Sequence, residues 1–137
     1  MAYVSKEFDE STKNSELAAR ALGCTVAEIA KSVVFMGEGP VVVVIAGDRR
    51  VDLEKLQRLV GSKVRRATPD EVRDGTGYPI GGVPPFPHSA QVKVFFDRTL
   101  NLHLEVWAAG GTPNSVFKVS PGDMVSVAGA STVDVSA

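Results

Sequence analysis

Five consecutive β-branched residues, Val41-Val42-Val43-Val44-Ile45, constrain this chain more than any other feature. Such side chains are stiff at χ1 and suit a pleated surface better than a helix. A run with no polar residue in either alternating set reads as a strand buried on both faces. The turn Gly37-Glu38-Gly39-Pro40 precedes it, and Ser32–Met36 before that turn reads as a second strand.

The flanking segments supply short helices. Asn14 caps one whose apolar positions Leu17, Ala18, Ala21 and Leu22 share a face, and Gly23 ends it. Thr25 to Glu28 forms a capping box for a very short helix. Asp52 caps a helix that runs to Val60 and stops at Gly61. Thr68-Pro69-Asp70-Glu71 opens another, expected to reach about Asp74. A loop rich in glycine and proline should then run from Gly75 to Ser89. Strands are expected near Gln91–Phe96, Asn101–Ala108, Val116–Val119 and Thr132–Val135, with a helix start at Ser120-Pro121-Gly122-Asp123. Short helices among several strands, without regular βαβ alternation, predict an α+β fold with a mixed sheet.

At 137 residues the chain fits one domain, with residues 1–13 as a short N-terminal extension. Its one cysteine, Cys24, cannot form an internal disulfide, which suits a reducing cytoplasmic compartment. No apolar run approaches the ~20 residues needed to cross a bilayer, so no membrane association is expected. The net charge of −1 argues against a broad basic nucleic-acid surface, although contact with the end of an RNA needs few phosphates. The basic groups Arg49-Arg50 and Lys63, Arg65, Arg66 read as solvated surface charge.

Three stretches carry possible chemistry. Lys31 opens the strand Lys31-Ser32-Val33-Val34-Phe35-Met36 and points the same way as Val33 and Phe35. A partly desolvated lysine there can hold a phosphate or polarise a carbonyl, or it can simply snorkel at a strand end. Gly77-Tyr78-Pro79-Ile80-Gly81-Gly82-Val83-Pro84-Pro85 is a stiff loop whose amides at Gly81, Gly82 and Val83 are candidate donors to a developing oxyanion. Its alternative role is a plain connection. Gly110-Gly111-Thr112-Pro113-Asn114-Ser115 is a second rigid loop, offering amides, the Thr112 hydroxyl and the Asn114 amide, or else serving as a turn.

Other constellations are missing. His88, His103 and Cys24 share no zinc-ligand spacing, and no Gly-x-Ser-x-Gly elbow occurs. His103 reads as an exposed strand residue and Cys24 as a packing residue. Asp97 and Glu105 have no evident partner in the sequence, and no protein nucleophile stands out.

Taken in order, Lys31-Ser32-Val33-Val34-Phe35, the Tyr78–Pro85 loop, Gly110-Gly111 and Ser120-Pro121-Gly122-Asp123-Met124-Val125 resemble the YbaK/prolyl-tRNA-synthetase-associated family of aminoacyl-tRNA deacylases, over roughly Ser15 to Asp134. The resemblance implies a mixed, mostly antiparallel sheet curled towards a barrel. It implies hydrolysis of the ester joining a wrong amino acid to the 3′ end of a tRNA, with no metal and no cofactor. An aminoacyl-tRNA synthetase is an implied partner. By the same resemblance Lys31 and Gly81 are catalytic. Tyr78, Gly82, Val83, Pro84, Gly110, Gly111, Thr112 and Asn114 bind substrate. Two departures stand out. Relatives of this kind usually begin with a further helix and strand before the segment matching Asn14–Gly23. The cysteinyl-tRNA-directed branch carries an acidic residue where this chain has Val116. A non-catalytic tRNA-end or synthetase-binding module and a small-molecule esterase are the alternative readings.

Overall fold

The computed structural model describes residues 4–7, 14–85, 92–111 and 115–137, with β1 described as backbone only. In chain order the strands are β1 (Val4–Glu7), β2 (Ile29–Met36), β3 (Pro40–Ala46), β4 (Arg65–Arg66), β5 (Lys93–Asp97), β6 (Val106–Ala109), β7 (Ser115–Val119) and β8 (Ser131–Val133). The helices are α1 (Ser15–Leu22), α2 (Leu53–Val60), α3 (Pro69–Thr76) and α4 (Pro121–Ala128), with 3₁₀ turns at Val26–Glu28 and Arg98–Leu102. The strand order is β1-β7-β6-β2-β3-β5-β8, and β4 pairs with β2 off this path. The fold is α+β with a mixed sheet, and among the described residues the sheet does not close into a barrel.

The valine run behaves as its composition requires. Val42 and Val44 enter the larger core cluster with Val34, Phe96, Leu100, Phe117 and Met124. Val41, Val43 and Ile45 face the other way, onto Phe35, Leu56 and Val135. All five are at most 2% exposed. Each such side chain contributes about 1.5–3 kcal/mol of burial free energy. Pairing β3 between β2 and β5 gives the sheet its centre.

Helix ends follow local chemistry closely. The side chains of Asn14, Asp52, Thr68 and Ser120 each accept a first-turn backbone N–H. A left-handed glycine closes every one of the four helices (Gly23, Gly61, Gly77, Gly129). Thr25–Glu28 makes its capping box over a 3₁₀ turn rather than an α-helix.

Several expectations need correction. Helix α3 runs through Gly75 and Thr76, because Thr76 Oγ1 donates to Val72 O at 2.6 Å and continues the turn. The segment Asn101–Ala108 is not one strand. Asp97 accepts from Thr99 N and Oγ1, which winds Arg98–Leu102 into a 3₁₀ turn, and the strand starts only at Val106. His103 therefore lies outside any strand. Asp97 is also not an isolated carboxylate. Only 1% exposed, it accepts from Val135 N at 3.0 Å and Ser136 N at 3.1 Å and ties the C-terminal segment to the sheet. Glu105 pairs with Lys118 at 3.4 Å. Strands β1 and β4 were not expected; β1 pairs antiparallel with β7, and β4 is two residues long.

One topological detail positions the site. Strand β2 pairs with β3 along Ala30–Met36. On its other edge β2 pairs with β6 only at Ile29 and Ala30, and with β4 only at Phe35 and Met36. Ala67 N extends the β4 side to Val34 O. Between these two seams the edge of β2 at Lys31–Val33 is left open, so the sheet forks there.

Candidate active site

The fork opens into a cavity of about 270 Å3. Strand β2 contributes Ile29 to Val33, β6 contributes Trp107, Ala108 and Ala109, and β7 contributes Val116. Arg66 stands at the β4 side, and Ile80, Gly81 and Val83 close a further wall. The start of α1 (Asn14, Ser15, Glu16, Ala18) and Gly47 complete the lining.

Alternation sorts these side chains. Register pairs Ile29 with Trp107 and Phe35 with Arg66, so Trp107 and Arg66 share the sheet face of Ile29, Lys31 and Val33. Ala30, Ser32 and Ala108 point to the opposite face, towards the larger core.

Lys31 is half-buried, and its Nζ donates to Gly47 O at 3.2 Å. Burial pushes its pKa below the usual 10.5 by penalising the charged form. The Glu16 and Asp48 carboxylates oppose this shift, while Arg66 and Arg50 add to it. A lysine at the end of an apolar strand has thus become a partly dehydrated cation in a cavity. The carbonyl it meets sits on a tightly packed residue: a Cβ at Gly47 would lie 2.6 Å from Val26 O and 2.7 Å from Ser15 Cβ.

The second stretch is as stiff as its prolines require. Thr76 Oγ1, which donates to Val72 O, accepts from Tyr78 N at 3.2 Å, fixing the loop entry. Val83, Pro84 and Pro85 are buried and fix the exit. Between them Gly82 N donates to Pro79 O at 2.9 Å, with Gly81 at φ +81°. Ile80 keeps a negative φ, so this is a type II turn, which favours glycine at its third position. The expectation of a free amide at Gly82 is therefore corrected, because that N–H closes the turn.

The third stretch lies next to the second. Gly110 N donates to Ser115 O at 2.8 Å, extending the β6–β7 hairpin, so this amide too is engaged. Gly111, at φ +105°, packs on Tyr78, whose Cε1 would sit 3.4 Å from an added Cβ. Tyr78 itself leans on the core cluster. The structure therefore brings Lys31, Gly81 and Val83 to one cavity, buries Gly82 and Pro84, and sets Tyr78, Gly110 and Gly111 nearby. Thr112 and Asn114 lie outside the described residues.

Sequence reasoning missed the start of α1, Gly47, Arg66 and Trp107 as cavity residues. Asn14 was legible as a cap and Arg66 as surface charge. Only the register of β2 with β4 and β6 shows that they meet. Among the described residues the lining contains no cysteine and no histidine. Among the described residues no three His, Cys, Asp or Glu side chains gather to hold a metal ion, and no helix is long and apolar enough to cross a membrane.

Comparison with known proteins agrees with this layout. The family profile of the aminoacyl-tRNA editing domain matches residues 9–127. The protein YwhH of Bacillus subtilis (strain 168), itself uncharacterised, is 38% identical over 120 residues, covering 86% of this chain and 76% of its own length. EbsC of Enterococcus faecalis (strain ATCC 700802 / V583), named as a candidate Cys-tRNA(Pro)/Cys-tRNA(Cys) deacylase, is 27% identical over 123 residues, covering 88% of this chain and 75% of its own length. A crystal structure of a candidate trans-editing enzyme for prolyl tRNA synthetase superposes with a TM-score of 0.90 at 41% identity, covering 98% of this chain and 87% of that one. With the profile spanning most of its length, from ahead of α1 into α4, this chain belongs to the aminoacyl-tRNA editing domain family.

Proposed function

We propose that the protein hydrolyses the ester bond between a wrongly attached amino acid and the 3′-terminal ribose of a tRNA. The observation that carries this reading is Lys31, a half-buried, partly dehydrated cation lining a cavity large enough for a small aminoacyl group. Family membership supplies the substrate class.

In this reading Lys31 holds the tRNA end beside the reacting ester. The rigid Gly81 turn presents backbone to the carbonyl carbon under attack. Water adds to that carbon, the negative charge develops on the carbonyl oxygen, and the bond to the ribose oxygen breaks as that oxygen takes up a proton. Among the described residues the walls carry no Cys or His side chain, and water or a group of the substrate itself is the attacking group in this reading. Val116 lines the pocket where the cysteinyl-tRNA-directed branch carries an acidic residue, which argues for an aminoacyl group other than cysteine. The site of action is the cytoplasm, where a synthetase would supply the mischarged tRNA.

A panel of mischarged tRNAs tests the proposal. The wild-type protein should deacylate at least one, and Lys31→Ala should lower kcat/KM by about 10²-fold or more while the fold persists by circular dichroism. Undiminished turnover by Lys31→Ala would sink the assignment. Saturable tRNA binding without turnover would favour a binding module, and cleavage of simple amino-acid esters with no gain from the tRNA body would favour a small-molecule esterase. Among the described residues Glu16 is the one carboxylate in the lining, and dialysis against EDTA should leave the rate unchanged.

A further inference from the structure

Six basic side chains of this protein have carboxylate partners among the described residues. Lys55 and Arg98 pair with Asp134, Arg58 with Glu54, Arg73 with Asp70, and Lys118 with Glu105. Arg65 forms a bidentate bridge to Glu71, with both N–O distances 2.7 Å. That bridge, above all its hydrogen bonds, holds the Glu71 carboxyl at about 2. Its neighbour Arg66 alternates to the other side, lines the cavity mouth, and has no ion pair among the described residues. Lys31 shares its sheet face and also has no ion pair there. The carboxylates facing the pair are Glu16, in the lining, and Asp48, and neither bridges to either cation. Arg50, also without an ion pair among the described residues, adds a third positive charge nearby. Half-buried Lys31 and exposed Arg66 thus set two like charges at one cavity with no carboxylate bridged to either, and an anion between them would relieve their repulsion.

We propose that Arg66, together with Lys31, forms a phosphodiester subsite that takes the phosphate on the 5′ side of the terminal nucleoside. The assignment rests on the deacylase reading for its nucleic-acid source, but the anion chemistry stands on the cavity alone. Guanidinium suits the role because its planar fork can present two N–H donors to one phosphate. The β4 seam sets its place: pairing Arg66 opposite Phe35 puts it four residues along β2 from Lys31, about 13 Å of strand, which an extended arginine partly spans. Arg66 is thus a positioning residue, holding the chain so that the ester lies over the cavity.

The test uses Trp107, the chain's single tryptophan, which lines the same cavity and serves as a fluorescence reporter. The probes are the dinucleoside phosphate cytidylyl-(3′→5′)-adenosine, adenosine and inorganic phosphate. Wild-type protein should bind the dinucleoside phosphate at least about tenfold more tightly than adenosine. Arg66→Gln should remove most of that advantage, leave adenosine binding unchanged, and lower the salt slope of log Kd by about 0.7, as loss of one single-strand phosphate contact requires. Arg66→Lys should restore part of the affinity, and Arg65→Gln should not change it. On a mischarged tRNA that the wild-type protein hydrolyses, Arg66→Gln should raise KM and leave kcat within about twofold. Equal binding of the dinucleoside phosphate by wild type and Arg66→Gln would overturn the subsite. Inorganic phosphate binding as tightly as the dinucleoside phosphate would overturn its nucleic-acid source in favour of a free anion. Arg66-dependent binding without turnover of any mischarged tRNA would remove the deacylase reading and leave the subsite standing.

Discussion

At the scale of single residues, Lys31 and Asp97 show opposite uses of buried charge. Asp97 is satisfied by three backbone N–H groups and a hydroxyl, so it is structural. Asp97→Ala would strand those donors and should cost about 3 kcal/mol, read as a lower denaturant midpoint with deacylation of the remaining folded protein unchanged. Lys31 is only partly satisfied, and burial lowers its pKa from 10.5. Its ammonium is therefore lost at a lower pH than that of an ordinary lysine. The unfolded chain keeps this proton up to 10.5, so between the two values the unfolded state binds more protons. There, this group makes stability rise with pH. Activity should run the other way. After subtraction of spontaneous ester hydrolysis, kcat/KM should fall along an alkaline limb centred below 10.5, without a matching loss of Tm from this group. A limb centred at or above that value would mean the cation is not needed. The lysine was legible as a candidate from its place on an apolar strand. Its partner Gly47 O lies sixteen positions away, and no local pattern reports such a contact.

At the scale of elements, the caps and the valine strand were readable because their causes are local. Asn14, Asp52, Thr68 and Ser120 each bond within three residues of themselves. The Asn101–Ala108 segment was misread because alternation at Leu102 and Leu104 imitates a strand. In the structure those two side chains are 74% and 92% exposed, and the side chain of Asp97 decides the local winding. Strand β4 escaped notice because two arginines carry no strand signal; pairing with β2 makes them one. Close packing of α1 against the loop after β3 yields a clean contrast. Gly47→Ala drives a Cβ into Val26 O and Ser15, so it should lower Tm and displace the carbonyl that holds Lys31, reducing activity with it. Gly122→Ala, in α4 with open space around the new Cβ, should leave activity alone and raise stability by about 0.5 kcal/mol. Thermal melts and initial rates on the two variants check both.

At the scale of the whole molecule, a net charge of −1 conceals an uneven distribution. Six cations are paired with carboxylates, and among those without an ion pair in the described residues Lys31 and Arg66 line one opening with Arg50 nearby. Composition alone reads this as a chain indifferent to nucleic acid, because a sum has no location. Raising salt should therefore increase KM for a tRNA substrate with little change in kcat, to be measured as initial rates between low and physiological ionic strength. The overall fold class was legible because many local signals agree. The site was not, since it exists only where three separated strands meet.

The fork in the sheet has one more consequence. The seam between β2 and β6 is two residue pairs long, whereas β2 and β3 share seven. A short seam can breathe without disturbing the valine core, so the width of the opening is governed by a few backbone hydrogen bonds. Amide hydrogens along Ala30 and Ala109 should exchange with solvent far sooner than those of Val42 to Ile45. Part of the room a bulkier guest needs would then come from transient unzipping rather than from the resting volume.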